Sequence, residues 1–318
     1  MKILFSADIH LKLGQKNVPV EWAKARYYEF FNQIHELTKG VELHIIGGDL
    51  FDRMPTIEEL ELYFSFVKSC NVETLIYDGN HEATKKGSTF LSRLKEVTSN
   101  LNGKVYIVDE AYEDSRGFTI LPYCELHKKG SIELLNKRIP LFTHVRGEIP
   151  PHVAPEIDLS RLSEFPIVFA GDLHSHTNCQ QNIVYPGSPM TTSFHRSKVE
   201  TGVLVILDDW DWYWERLQLP QLIRKTVKST TEMTPGVYDH VIYEIEGDLS
   251  ELASVKNSDL LDKKVVKRSK DTSLILGREM TVAEELVEYL TYILEIAPEK
   301  VNSIVSIFHD NTKNAEMG

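Results

Sequence analysis

The sequence predicts a layered α/β fold, and two observations carry that expectation. Over the first two-thirds of the chain, short runs of Val, Ile, Leu and Phe recur with helix-period segments between them, the order that lays helices on a sheet. Most of these runs lack alternation of apolar and polar residues, as strands covered on both faces do. Strands are expected at Lys2–Ala7, Glu42–Gly47, Val72–Tyr77, Lys104–Val108, Phe118–Pro122, Ile139–Thr143, Pro166–Gly171, Val203–Leu207 and Tyr213–Leu219. Helical spacing marks Glu21–Thr38, Thr56–Ser69 and Ser88–Thr98, and Thr56 with Glu59 forms a capping-box pattern behind Pro55. Asp208-Asp209-Trp210-Asp211 reads as a hairpin tip. The rings of Trp210, Trp212, Tyr213 and Trp214 are expected to pack on the core rather than to stack bases.

After Pro220 the character changes. A strand at Asp239–Glu246, a helix at Leu249–Lys256 and a strand at Lys263–Arg268 suggest a small α+β cap. The expected organisation is a main domain over 1–220, the cap over 221–275 and a helical tail over 276–318. In the tail, Val282, Leu286, Tyr289, Leu290, Ile293 and Leu294 form one apolar stripe, and Val301, Ile304, Val305 and Phe308 form another behind Pro298.

Composition limits the function classes. The 35 Lys and Arg stand against 47 Asp and Glu, a net charge of −12, which argues against coating nucleic acid or anionic membrane by bulk attraction. No apolar run approaches the roughly 20 residues needed to cross a bilayer. Ser6-Ala7-Asp8-Ile9-His10 interrupts the apolar start too early for a signal peptide. Cys70, Cys124 and Cys179 are odd in number and scattered, so no disulfide framework or CxxC metal knuckle is expected. The expectation is a soluble cytoplasmic protein, in the host cytoplasm if phage-encoded.

The chemistry lies in the polar residues at the end of each apolar run. Asp8-Ile9-His10 comes after the first, Gly47-Gly48-Asp49-Leu50-Phe51-Asp52 after the second, and Asp78-Gly79-Asn80-His81-Glu82 after the third. Thr143-His144 and Gly171-Asp172-Leu173-His174 end two later ones. The carboxyl ends of strands in an α/β sheet line one crevice. Oxygen and imidazole donors without thiolate suit Mn, Fe or Zn in a hydrolytic site. Taken singly, each element has a plainer reading: Asp52 could cap the helix near Thr56, and Asn80 could favour a turn. In combination and in this order they are specific.

The ordered pattern D-x-H, G-D-x-x-D, G-N-H-E, H and G-x-x-H resembles the calcineurin-like metallophosphoesterases over about residues 1–219. Within them it is similar to the SbcD-type nuclease subunit of double-strand-break repair complexes, including phage-type versions. Ala7-Asp8-Ile9-His10-Leu11, Gly48-Asp49-Leu50-Phe51-Asp52 and Tyr185-Pro186-Gly187-Ser188-Pro189 with Ser193-Phe194 support that subfamily. The fold implied is a metallophosphoesterase β-sandwich flanked by helices.

The resemblance also implies residue roles. Asp8, His10, Asp49 and His174 would hold a first divalent cation, and Asp49, Asn80, His144 and Asp172 a second, with Asp49 bridging. His81 would donate a proton and Asp52 would orient its ring. One position departs from the family, which usually has Gly-His-x-His where this chain has Gly171-Asp172-Leu173-His174. Either Asp172 takes the place of the first histidine, or a slipped register lets His174 and His176 supply both imidazoles.

The implied activity is metal-dependent DNA hydrolysis, exonuclease or endonuclease, with Mn²⁺ as cofactor and Mg²⁺ as the alternative. Local basic residues that could guide DNA are Lys85, Lys86, Arg196, Lys198, Lys264, Lys267 and Arg268. The implied partners are an SMC-like, SbcC-type ATPase gripped by the tail helices and a second copy pairing through helices 56–69 and 88–98. Two alternatives stay open: a phosphatase or small-molecule phosphodiesterase on the same core, and a non-catalytic scaffold.

Overall fold

A computed structural model describes residues 1–84, 88–247, 260–265, 286, 287, 290, 296 and 298–315. The chain divides into two compact units, one of residues 1–244 with 257–262 and one of 245–256 with 263–318. The expected helix at Leu249–Lys256 and most of the first tail stripe lie outside the described residues.

In the first unit, β1 (Ile3–Ser6), β2 (Leu43–Gly47), β3 (Glu73–Tyr77) and β4 (Val105–Val108) run parallel in that order. A second sheet holds β5 (Tyr112–Asp114), β6 (Phe118–Leu121), β7 (Leu141–His144), β8 (Val168–Gly171) and β9 (Ile183–Val184). All but β5 are parallel in it. The chain then returns to the first sheet, where β10 (Gly202–Ile206) pairs antiparallel with β1, and β11 (Trp212–Arg216) with β10.

Side-chain parity explains the unbroken apolar runs. Ile3 and Phe5 on β1, Leu43 and Ile45 on β2 and Leu75 and Tyr77 on β3 share a core with Phe118, Ile120, Phe142 and Phe169 of the second sheet. The alternate residues Leu4, Ile46 and Ile76 face α1 (Val20–Thr38) and α2 (Ile57–Ser69). Successive strand residues point to opposite faces, and both faces are covered here, so most positions are apolar, with the buried Ser6, His44, Thr74 and Thr143 as exceptions. The outer face of the second sheet is covered by the segment that carries Leu126, Ile132, Leu159, Leu162 and Phe165.

The capping box at α2 is present: Thr56 N donates to Glu59 Oε2 at 2.9 Å and Glu59 N to the Thr56 hydroxyl at 3.3 Å. The third helix differs from expectation. It opens as a 3₁₀ turn at Leu91–Leu94 and continues as α3 (Lys95–Leu101). Its expected first turn is extended instead, because Thr84 N donates to Ser88 O and Phe90 N to Glu82 O. The strand expected over Tyr213–Leu219 ends at Arg216. No clear pattern announced β5 and β9, which are two or three residues long, or β12 (Leu222–Val227). Strand β12 lies beside β13 (His240–Gly247), and β14 (Leu261–Val265) starts ahead of the expected Lys263–Arg268. Trp210 and Trp214 pack on the inter-sheet core, while Trp212 and Tyr213 are exposed.

In the second unit, a helix over Pro298–Ala315 buries Val301 and exposes Ile304. No helix among the described residues is long and apolar enough to cross a membrane. The three cysteines are free.

One histidine belongs to the core and not to the crevice. His44 on β2 is buried beneath the helices with its Nε2 2.9 Å from the Ser6 hydroxyl. Burial lowers its pKa to about 3. The folded value lies below the unfolded one, so the neutral ring contributes stability above pH 6.5 that is lost as pH falls toward 3. Replacing it by Gln should flatten the pH dependence of urea stability between pH 6 and 4. The expected change is up to about 1.4 kcal/mol per pH unit, and an unchanged slope would refute it.

Candidate metal centre

The loops leaving β1, β2, β3, β7 and β8 meet at one end of the two sheets. The first two are laced together by backbone bonds: Asp8 N donates to Gly48 O, His10 N to Asp49 O and Leu11 N to Leu50 O. Asp8, His10, Asp49 and Asp172 all have positive φ, at 57°, 49°, 50° and 107°. Such backbone is costly for non-glycine residues and persists only where the surroundings hold it. Here it turns the carboxylates and imidazole inward. Gly48 and Gly171 make the convergence sterically feasible. A Cβ on Gly48, itself at φ +86°, would lie 2.4 Å from His144 Nδ1, and one on Gly171 would lie 2.4 Å from Gly47 O.

Asp49 Oδ2 sits at the middle. It is 3.6 Å from His10 Nε2, 3.6 Å from His144 Nε2 and 3.8 Å from His81 Nε2. Its other oxygen accepts the His81 backbone N–H at 2.9 Å. Asn80 Oδ1 lies 3.0 Å from His144 Nε2, and His174 Nε2 is 3.2 Å from His10 Nε2 and 3.9 Å from Asp8 Oδ1. His144 Nδ1 donates to Gly47 O at 2.9 Å, which leaves Nε2 turned toward the carboxylates.

Three overlapping groups of donors have the spacing of metal sites: Asp8–His10–His174, His10–Asp49–His81 and Asp8–Asp49–His144. Electrostatics agrees with that use. Burial pushes the Asp8 carboxyl up to about 8 against the pull of His144, with Asp49 and Asp172 adding repulsion. Burial opposes protonation of His144, yet Asp49, Asp8 and Asp172 outweigh it and raise its pKa to about 9. Burial holds His10 and His174 in the neutral form that ligates. His10 Nδ1 is buried without a hydrogen-bond partner, and two imidazole nitrogens 3.2 Å apart can share at most one proton. A crowd of oxygen and imidazole donors that draws positive charge fits divalent cations.

The remaining expected residues fall into distinct places. The His81 ring, partly exposed in the cleft, meets Asp52 through the backbone: its Nδ1 donates to the Asp52 carbonyl at 2.6 Å. The Asp52 carboxylate is turned to Lys12 at 2.7 Å. Asp172 belongs to none of the three donor groups among the described residues. Its two oxygens accept from Arg146 Nε and Nη2, both at 3.2 Å. His176 is outside the cluster, stacked on Trp214 with centroids 4.0 Å apart. Arg196 bonds Thr226 and Glu244, and Lys198 pairs with Asp239. Lys85, Lys86, Lys267, Arg268 and the side chain of Lys264 lie outside the described residues.

Sequence reasoning missed two residues. Glu82 is fully buried and accepts the backbone N–H groups of Asp49 (3.0 Å), Phe51 (2.7 Å) and Gly79 (2.9 Å). Burial, with Asp49 nearby, raises its pKa to about 8. The signal was its place directly after Asn80-His81. Arg146 lies two residues beyond His144, the spacing that keeps both on one side of an extended chain. Ser188 of the Tyr185–Pro189 segment also acts here, donating from its hydroxyl to Asp8 O at 2.7 Å. The donors open into a cleft of about 660 Å³ lined by Asp49, Asn80, His81, Arg146, Asp172 and His174 among others.

Glu82→Ala should destabilise the fold by about 1–3 kcal/mol, the cost of stranding buried backbone donors. It should also weaken cation binding, because the Asp49 backbone loses its anchor. Urea denaturation and Mn²⁺ calorimetry measure the two, and normal values for both would remove Glu82 from this role.

Comparison with known proteins gives the family. The family model described as calcineurin-like phosphoesterase matches residues 1–162. "Probable exonuclease subunit 1" of Escherichia phage T5 is 41% identical over 319 residues, covering 96% of this chain and 97% of that protein. The 244L protein of Invertebrate iridescent virus 6, whose name assigns it to the phosphoesterases, is 29% identical over 239 residues, covering 65% of this chain and 77% of its own. With a family match over half its length and a near-full-length relative, the chain belongs to the calcineurin-like phosphoesterases.

Proposed function

We propose that the protein is a metal-dependent DNA nuclease that hydrolyses phosphodiesters with two divalent cations, Mn²⁺ or alternatively Mg²⁺. The observation that carries the reading is Asp49 Oδ2 within 3.8 Å of three imidazole nitrogens, from the loops after β1 and β3 and from the end of β7. Near-full-length similarity to a phage protein named as an exonuclease subunit supports DNA as the substrate class. Asp8, His10, Asp49 and His174 would hold one cation and Asp49, Asn80 and His144 the other. When bound, such a pair supplies Lewis acidity, acidifying water and neutralising charge on phosphate oxygens.

The chain's own residues do the rest. Asp8 and Asp49 contribute the negative charge that retains cations, and the neutral His10 and His174 contribute nitrogen lone pairs. His81 faces the cleft with Nε2, its Nδ1 proton committed to the Asp52 carbonyl. The protonated ring therefore delivers its proton from Nε2 to the departing 3′ or 5′ oxygen.

We further propose that it works as the nuclease subunit of an SMC-like ATPase complex, the SbcC type, in recombination and repair in the host cytoplasm. Chain segment 276–318 is taken as the ATPase-binding tail and 221–275 as the cap. A negative protein gains DNA affinity from a partner more readily than alone. The exposed Met54, Ile57 and Val97 support self-pairing through the helices at 56–69 and 88–98.

The deciding experiment is Mn²⁺-dependent cleavage of linear DNA beside hydrolysis of nitrophenyl mono- and diesters. DNA and diester cleavage support the reading, whereas monoester turnover alone would make the protein a phosphatase. His81→Ala should lower kcat by about 10²–10⁴-fold with Mn²⁺ affinity retained, and loss of that affinity would make His81 a ligand instead. Removing residues from Thr281 onward should abolish co-purification with the ATPase while diesterase activity persists. A complex that survives the truncation would place the interface elsewhere.

A further inference from the structure

The point where this chain departs from the family pattern is also where an unanticipated cation stands. Arg146 lines the same cleft as Asp49, Asn80 and His81. Its guanidinium is about one-third exposed and is held side-on by a buried carboxylate: Nε donates to Asp172 Oδ2 and Nη2 to Asp172 Oδ1, both at 3.2 Å. Nη2 also faces Glu156 Oε1 at 3.5 Å. Nη1 has no partner among the described residues. Asp172 itself is in none of the three donor groups and lies at their edge. Its nearest imidazole contact is His144 Nε2 at 3.9 Å, and each of its oxygens accepts one bond from the guanidinium.

We infer that Arg146 binds a non-reacting phosphate of the substrate strand, next to the scissile one, and that Asp172 is its positioning residue and not a cation ligand. The inference rests on the nuclease reading above. Guanidinium suits the task because it is permanently charged, planar and forked, matching two phosphate oxygens. A cleft walled by Asp8, Asp49 and Asp172 in a chain of net charge −12 repels a polyanion. A fixed local cation offsets that repulsion where the strand enters. The assignment to a neighbouring phosphate comes from placement: the Asp172 carboxylate stands between the guanidinium and His144, so Arg146 flanks the centre.

The groups behind Arg146 are largely paired. Glu156, the second anchor of Arg146, also accepts from the Tyr123 hydroxyl at 2.6 Å and lies 3.2 Å from His127 Nε2. His127 in turn lines a second cleft of about 380 Å³ with Lys128, Lys129 and Arg161. That second cleft is of mixed charge, because Glu133 also lines it, Arg161 pairs with Glu133 and Lys128 with Glu125, so the phosphate contact is assigned to Arg146 alone.

The test compares Arg146→Gln and wild type on a single-stranded oligonucleotide and on bis(p-nitrophenyl) phosphate, which has no second phosphate. KM for the oligonucleotide should rise about 10- to 100-fold, the usual effect of losing a charge-assisted hydrogen bond. The small diester should be hydrolysed within about threefold of wild type, which also reports an intact fold and centre. Arg146→Lys should recover part of the oligonucleotide affinity. Asp172→Asn should raise the same KM, leave Mn²⁺ affinity by calorimetry within about threefold, and add little in the double variant. Equal loss on both substrates in Arg146→Gln, or loss of Mn²⁺ binding in Asp172→Asn, overturns the proposal. Failure of the nuclease reading would look different: wild type would turn over the diester yet leave the oligonucleotide intact, and this proposal would fall with it.

Discussion

The structure is organised around one oxygen. Asp49 Oδ2 lies within 3.8 Å of nitrogens from His10, His81 and His144, on the loops after β1 and β3 and at the end of β7. Three rings from two different sheets can meet one carboxylate only if the sheets are packed with their carboxyl ends together. The inter-sheet core of Phe5, Tyr77, Phe118, Phe142 and Phe169 sets that relation. Apolar packing is close to crystal density and resists displacement, so it can hold polar groups that repel one another.

That repulsion has to be met locally, and backbone groups meet much of it. Asp8 accepts the Asp172 N–H, Asp49 accepts the His81 N–H, and Glu82 accepts three N–H groups from the loops on either side. These bonds favour the ionised carboxylates and so oppose the burial that raises the pKa of Asp8 and Glu82. They also fix loops whose positive-φ residues would otherwise relax. Glu82 therefore acts on the centre through the backbone without offering it a ligand.

Charge explains the division of labour across the surface. A net charge of −12 and a carboxylate-lined cleft favour cations and repel a polyanion. Arg146 is placed where the two demands collide, bound by Asp172 on one side and open to the cleft on the other. Arg196 and Lys198, basic residues near the Tyr185–Pro189 turn, instead tie the strand region of β12 and β13 to the loop before β10. Proximity of a basic residue to a motif in sequence did not predict whether its charge was already neutralised.

The sequence by itself determined the strands that carry the centre and the order of the polar residues at their ends. Strands covered on both faces are mostly apolar, and the polar residues at their ends are then conspicuous. It also marked Gly48 and Gly171, whose need for no Cβ comes from approaches of 2.4 Å between segments far apart in the chain. Only the tertiary structure decided which atom of Asp52 meets His81, where Asp172 directs its oxygens, and that His176 stacks on Trp214. It also set the short strands β5 and β9 and the extended start of the third helix. These depend on distances between residues separated by tens of positions, and a local pattern carries no record of them. A residue type says which bonds a side chain can make, and the packed fold selects which one forms.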